Sequence, residues 1–227
     1  MHIFTSHYYQ QGRNYSTLLL QQYQYRHMPI CLICLSHGEN ESQGKAGAYF
    51  TGRLLQWFRG QSLGRLVKSP ENRLLTLQDQ LRELIECTDA ELKNCSFGSA
   101  EKNMDLAGIL CVGEDFLLFF RGQQKICLLN RSFGRSHIRC FSEEMTDDIG
   151  CALVLRQGIL QRDVGLLLAT ESFCGHMAEQ ELRECLHVET VLSEEQAERH
   201  LRELAGRGER QNGRNMSAAL LLTRQDV

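Results

Sequence analysis

Residues 30–58 read ICLICLSHGENESQGKAGAYFTGRLLQWF. The segment opens as an apolar run (30–35), turns into small, polar and acidic residues at SHGENE (36–41), and resumes with Ala46, Phe50, Leu54 and Phe58 at every fourth position. A short continuous apolar run predicts a strand buried on both faces. The four-residue recurrence, with Gly47 and Leu55 beside it, predicts an amphipathic helix. Strand, polar loop and helix therefore follow one another, and Ser36, His37, Glu39 and Glu41 lie in the loop where a strand end opens.

The same two patterns organise the rest of the chain. Apolar runs at 107–112, 116–120, 125–129, 151–155, 164–169 and 218–222, flanked by Gly, Asn, Asp or Ser, predict further strands. The stretch FLLFFRGQQKICLLN predicts a hairpin turning at Gly122. A second helix is expected where Leu77, Leu81, Leu84 and Ile85 share a face, and a short one at 177–186. Ser193 and Gln196 form a capping box for a helix carrying Ala197, His200, Leu201 and Leu204, with Gly206 and Gly208 expected at its end. Strand blocks segregated from helices favour an α+β fold, read as one domain over 1–227.

Composition narrows the function classes. The 25 Lys and Arg against 28 Asp and Glu leave a net charge of −3 and a pI near 6.2. No global field draws such a chain to nucleic acid or to an anionic membrane. No window holds the roughly 18 uninterrupted apolar residues of a membrane span. The start MHIFTSHYYQQGRN lacks the apolar core of a signal peptide, so the expected compartment is the cytoplasm. Ten cysteines are scattered through apolar runs and read as reduced, buried thiols. Cys31 and Cys34 spell CxxC, but strand alternation sends them to opposite faces, against zinc or redox use.

Three other groupings carry weaker chemistry. GQSLG (60–64) matches a nucleophile-elbow pattern, yet it follows a helix rather than a strand and reads as a surface loop. Glu143, Glu144, Asp147 and Asp148 have the oxygens for a hard cation, although a solvated loop accounts for them. His37 and His176 both follow expected strands, which leaves an acid–base or metal role open.

Taken in order, the segments resemble the metal-dependent protein serine/threonine phosphatases of the PP2C (PPM) family. Where that family has an NQDS-like motif, this chain has NYST (14–17), with Ser16 at the aspartate position. Its DGMGG-like turn is matched by CLSHGEN (34–40), with Ser36 for the aspartate and His37 for the glycine. GKAGAYFTGRLLQWF is similar to its first helix, and RGQQKICLL to its VGDSRVYLL segment, with Gln123, Gln124 and Lys125 for Asp, Ser and Arg. VGLLLATESF stands for LLLCSDGL, with Glu171 for the aspartate and Ser172 for the glycine. In place of DNITVILV the chain keeps Asn215 but has Arg214 before it.

The resemblance implies a four-layer α-β-β-α sandwich of two antiparallel sheets. It also implies that the positions holding two Mn²⁺ or Mg²⁺ ions in the family are here Ser16, Ser36, Glu171 and Arg214. Hard divalent cations need oxygen ligands with negative charge, and a guanidinium has no lone pair to give. The expectation is a pseudophosphatase with no metal cofactor, binding a phosphoprotein, a kinase or another regulatory protein. The alternative is a divergent active phosphatase that uses Mn²⁺ or Mg²⁺ through Glu171, His37 and nearby acidic residues. An Arg214–Glu171 contact is expected in place of metal. Gln11 occupies the family's phosphate-binding arginine position, with Arg13 nearby as a possible substitute.

Overall fold

The computed structural model describes residues 2–10, 15–61, 72–94, 104–132, 135–141, 153–161, 163–175, 177–186, 191, 193–210 and 215–224. By its contacts the chain forms two compact units. The central unit comprises Tyr15–Gly122 and Cys151–Ile159, and the terminal unit comprises Met1–Asn14, Gln123–Gly150 and Leu160–Val227. Each is built on a five-stranded antiparallel sheet with helices on one face.

In chain order the elements are β1 (His2–Tyr9), β2 (Thr17–Tyr25), β3 (Met28–His37), α1 (Glu41–Gly60), α2 (Arg73–Asn94), β4 (Asp105–Val112), β5 (Asp115–Arg121), β6 (Lys125–Ser132), β7 (Arg135–Cys140), β8 (Val154–Ile159), β9 (Gly165–Ala169), α3 (Glu171–Cys174), α4 (Glu179–Cys185), α5 (Glu194–Arg210) and β10 (Ser217–Arg224).

The sheet of the central unit runs β2-β3-β4-β5-β8. Strands β2 and β3 pair from Thr17↔Ser36 to Tyr25↔Met28 across the two-residue turn Arg26–His27, whose φ values are 48° and 66°. That turn needs positive φ to match the strand twist, and two non-glycine residues adopt it. Along β3 every residue from Ile30 to Ser36 is buried. Ile30, Leu32 and Cys34 pack with Ala46, Phe50, Leu54 and Phe58 of α1 and with Leu77, Leu81 and Ile85 of α2. Cys31, Ile33 and Leu35 lie on the opposite face and are also fully buried. The helical stripes read from sequence are thus the ones that meet the sheet.

Two arginines bind this unit at its buried margins. Arg73 donates to the Val112 carbonyl at 3.2 Å and lies 3.4 Å from the Asp115 carboxylate. Arg121 donates to Asp89 Oδ2 at 2.7 Å and so joins β5 to α2. Fork-shaped, permanently charged guanidinium groups suit such semi-buried pairing.

The sheet of the terminal unit runs β1-β10-β9-β6-β7. Its helix-side cluster joins Cys127, Leu129, Leu167, Ala169, Ala218, Leu220 and Leu222 to Phe173, Leu182, Ala197, Leu201 and Leu204. Ser193 Oγ accepts from Gln196 N at 3.2 Å, as the capping pattern predicts for α5.

Three expectations are corrected. FLLFFRGQQKICLLN is not a hairpin: β5 pairs with β4 and β8, whereas β6 pairs with β7 and β9, so the chain leaves one sheet for the other. Gly122, at φ 80°, carries that departure where a Cβ would fall 1.8 Å from Asp105 Oδ1. The hairpin instead joins β4 to β5 through Gly113, at φ 66°. Gly206 and Gly208 do not end α5, which continues to Arg210, because Gly208 is buried on its packed face and tertiary contact outweighs glycine's low propensity. The strand expected at 151–155 is Val154–Ile159.

Gly108 of β4 lies opposite Phe119, and a Cβ there would sit 2.0 Å from the ring's Cζ. Gly108→Ala should therefore lower unfolding free energy by about 1–3 kcal/mol, the usual cost of overpacking. Urea titration checks it; an unchanged midpoint would mean that Phe119 swings away without cost.

Candidate functional site

In the central unit the loop 36–41 is held by its own helix cap. Asn40 Oδ1 accepts from Gln43 N at 3.0 Å, and Gln43 Oε1 accepts from Glu39 N at 2.6 Å. A Cβ on Gly38 would fall 2.4 Å from Gln43 Cβ, so the chain can pass this close to α1 only as glycine. Glu41 pairs with Lys45 at 2.7 Å on the exposed helix surface. Glu41 is thus engaged at the helix surface and the Glu39 backbone in the cap, while the Glu39 charge acts on His37.

Strand alternation then separates Ser36 from His37. Ser36 is fully buried against α1, where a Cβ on Gly47 would meet its Oγ at 2.5 Å. Its hydroxyl has no hydrogen-bond partner among the described residues. His37 points to the other face, and its Nδ1 lies 2.9 Å from Ser16 Oγ. The β2–β3 register extends one step to place these two side by side, and Asp105 of β4 is the next residue across from His37. Burial lowers the pKa of His37, and the Glu39 charge opposes that shift. With the imidazole neutral and its proton on Nε2, the Ser16 hydroxyl donates to Nδ1.

In the terminal unit, β9 ends at Thr170, whose Oγ1 accepts from Phe173 N at 3.3 Å and from Ser217 N at 3.1 Å. This ties β9, β10 and α3 together and presents Glu171, the first residue of α3, to solvent. Glu171 lines a cavity of about 340 Å³ with Lys125, Cys127, Cys140, Cys174 and Met177. Asn215 sits nearby in sequence to β10 at φ 57°, with its Oδ1 buried and lacking a partner among the described residues. Gln124 is likewise buried, with neither amide atom paired there.

Arg13, Arg214 and the expected Arg214–Glu171 contact lie outside the described residues, as do His176, the 143–148 acidic group and residues 62–64 of GQSLG. Of the candidate positions, the structure joins Ser16 to His37 and sets Ser36 apart from both. Asp105 and Gln43 were not singled out from sequence. Asn40-x-x-Gln43 was a legible capping signal for Gln43, whereas only strand register reveals Asp105. Cys31 and Cys34 do face opposite ways: Cys34 packs beneath the helices, and burial pushes the Cys31 thiol up to about 12.

Ser36→Ala should leave stability unchanged or raise it by up to about 1–3 kcal/mol, since it removes an unpaired buried hydroxyl. Ser36→Asp should destabilise, because it buries a charge without a partner; equal denaturation midpoints for the two variants would contradict the packing. For His37 the folded pKa lies below the unfolded one, so its contribution is complete above the unfolded value. That contribution is lost as pH falls below the ordinary histidine value of about 6.5 and through the lower folded one. His37→Gln should flatten this part of the stability profile, measured by urea midpoints across that range.

No family model matches the sequence, and no curated protein matches it. Solved structures do. The S. agalactiae serine/threonine phosphatase aligns over 99% of this chain and 100% of its own, at TM-score 0.66 and 12% identity. Serine/threonine phosphatase Stp1 from Staphylococcus aureus aligns over 100% and 96%, at TM-score 0.69 and 13% identity. The Mycobacterium tuberculosis serine/threonine phosphatase PstP/Ppp aligns over 98% and 99%, at TM-score 0.64 and 12% identity. With its two antiparallel sheets and flanking helices, the chain has the α+β fold of the PP2C-type bacterial serine/threonine phosphatases.

Proposed function

We propose that this chain is a PP2C-like pseudophosphatase domain that acts by binding, as a regulatory protein in phospho-signalling. The observation that carries this reading is the 2.9 Å Ser16–His37 hydrogen bond, which joins a serine at a position where the resemblance expects a metal-holding aspartate to a histidine at the family's glycine position beside another. The bond engages the Ser16 hydroxyl with His37 Nδ1 directly, with no ion between them. Ser36, the other matched position in the central unit, has its oxygen turned into the helix-side core.

The residue types at Ser16, Ser36 and Arg214 argue against a dinuclear Mn²⁺ or Mg²⁺ centre on chemical grounds. Such ions take carboxylate, carbonyl and water oxygens, with enough negative charge to balance two cations. Among the described residues, no group of three or more His, Cys, Asp or Glu side chains converges in a way that could hold a metal ion. The occupant of this reading is a phosphoprotein, a kinase or another regulatory partner. A cytoplasmic setting agrees with the buried thiols of Cys31, Cys34 and Cys111, and no helix among the described residues is long and apolar enough to cross a membrane.

The test is hydrolysis of a small aryl phosphate with and without Mn²⁺, alongside Glu171→Ala and Ser16→Ala. The expected outcome is no turnover above buffer for any of the three proteins. Metal-dependent turnover lost in Glu171→Ala would overturn the proposal in favour of a divergent active phosphatase. Metal-independent turnover lost in Ser16→Ala would overturn it in favour of serine–histidine nucleophilic chemistry.

A further inference from the structure

We propose that Cys127 and Cys140 form an oxidisable dithiol in the wall of the terminal unit's cavity, which a peroxide converts to a cross-strand disulfide. The inference is independent of the pseudophosphatase reading.

Cys127 of β6 and Cys140 of β7 are directly opposed. Phe141 N donates to the Ile126 carbonyl at 2.8 Å, so the bonded pair is 126/141 and the adjacent 127/140 pair is the non-bonded one. In antiparallel sheets that pair has the closer approach, about 4.5 Å between Cα atoms, with Cβ atoms also nearest there. A disulfide requires Cα atoms about 4.4–6.8 Å apart and Cβ atoms about 3.5–4.5 Å apart. The non-bonded register thus brings the two thiols to the near edge of disulfide range, where a bonded pair would hold them wider.

Both side chains face the helices, Cys127 within that cluster and Cys140 packed against it. Both line the cavity of about 340 Å³, which the polar Lys125, Glu171 and Glu179 open to water. Cys140 is half-buried and Cys127 is buried, so an oxidant meets Cys140 first.

The chain holds a built-in comparison. Cys31 and Cys111 are also opposed across two strands. Gly113 N donates to the Pro29 carbonyl at 2.8 Å, which puts 29/113, and two residues on 31/111, among the bonded, wider pairs. Both thiols are fully buried, and burial raises the pKa of each. Buried thiols in apolar surroundings are inert.

In the first step the Cys140 thiolate attacks one oxygen of hydrogen peroxide, the O–O bond breaks, and the departing hydroxide takes up a proton as water. The sulfenic acid formed on Cys140 is then attacked at sulfur by the Cys127 thiolate, the S–O bond breaks, and a second water leaves. The two thiols lose two electrons and two protons, and the peroxide becomes two waters. A dithiol reductant reverses the bond by exchange.

The experiment exposes the reduced full chain to hydrogen peroxide, blocks remaining thiols with N-ethylmaleimide, and maps peptides without reduction. A Cys127–Cys140 linked peptide is expected as the main product, with loss of both alkylation sites and their return on dithiothreitol treatment. Cys140→Ser should abolish that link, and Cys31→Ser should leave it. The proposal is overturned if Cys140 accumulates as sulfinic acid with no link, or if either residue joins Cys174, which lines the same cavity, or another chain.

Discussion

The arrangement of the central unit depends on the two-residue alternation of β3. Because this strand is buried on both faces, each of its side chains must belong to one of two apolar environments. Even-numbered positions from Ile30 to Ser36 face α1 and α2, and odd-numbered positions face away. A slip of one residue would exchange the two sets and drive His37 under the helix. Gly47 reinforces the choice, since nothing larger fits over Ser36.

That constraint governs the chemistry available at the strand end. Adjacent residues in a loop-like sequence look equally able to serve a site, but adjacent residues in a strand cannot share one. His37 shares a face with Ser16, whereas Ser36 spends its hydroxyl in an apolar layer. An unpaired buried hydroxyl is a stability cost with no return in binding, while the Ser16–His37 pair stabilises itself. In the terminal unit the same rule places Cys127 and Cys140 together on the cavity side and leaves Ile126 on the reverse of the sheet.

Much of the fold was legible because its signals are local. The stripe Ala46–Phe58 and the Leu77–Ile85 face lie on α1 and α2 as expected, and the Ser193 cap starts α5. Strands β3, β4 and β9 are apolar enough to read directly. By contrast, β1 and β2 carry Gln, Tyr, His and Thr, and half-buried edge positions give a weak apolar signal. The Arg26–His27 turn lacks the glycine or asparagine that usually announces it. Ser16, Ser36, His37 and Glu171 were identifiable as candidates, yet nothing local to any of them says which partner it meets.

The sequence by itself determined the α+β composition, the helical faces and the residue types at the candidate positions, because these depend on periodicity and chemistry within a few residues. Tertiary structure alone decided that β5 and β6 belong to different sheets, that His37 meets Ser16, and that Cys127 stands opposite Cys140. Those outcomes are pairings between strands, and register is a property of two segments at once. Two short apolar runs separated by a glycine turn have the same pattern whether they pair or part, and only burial of both sheet faces selects between them.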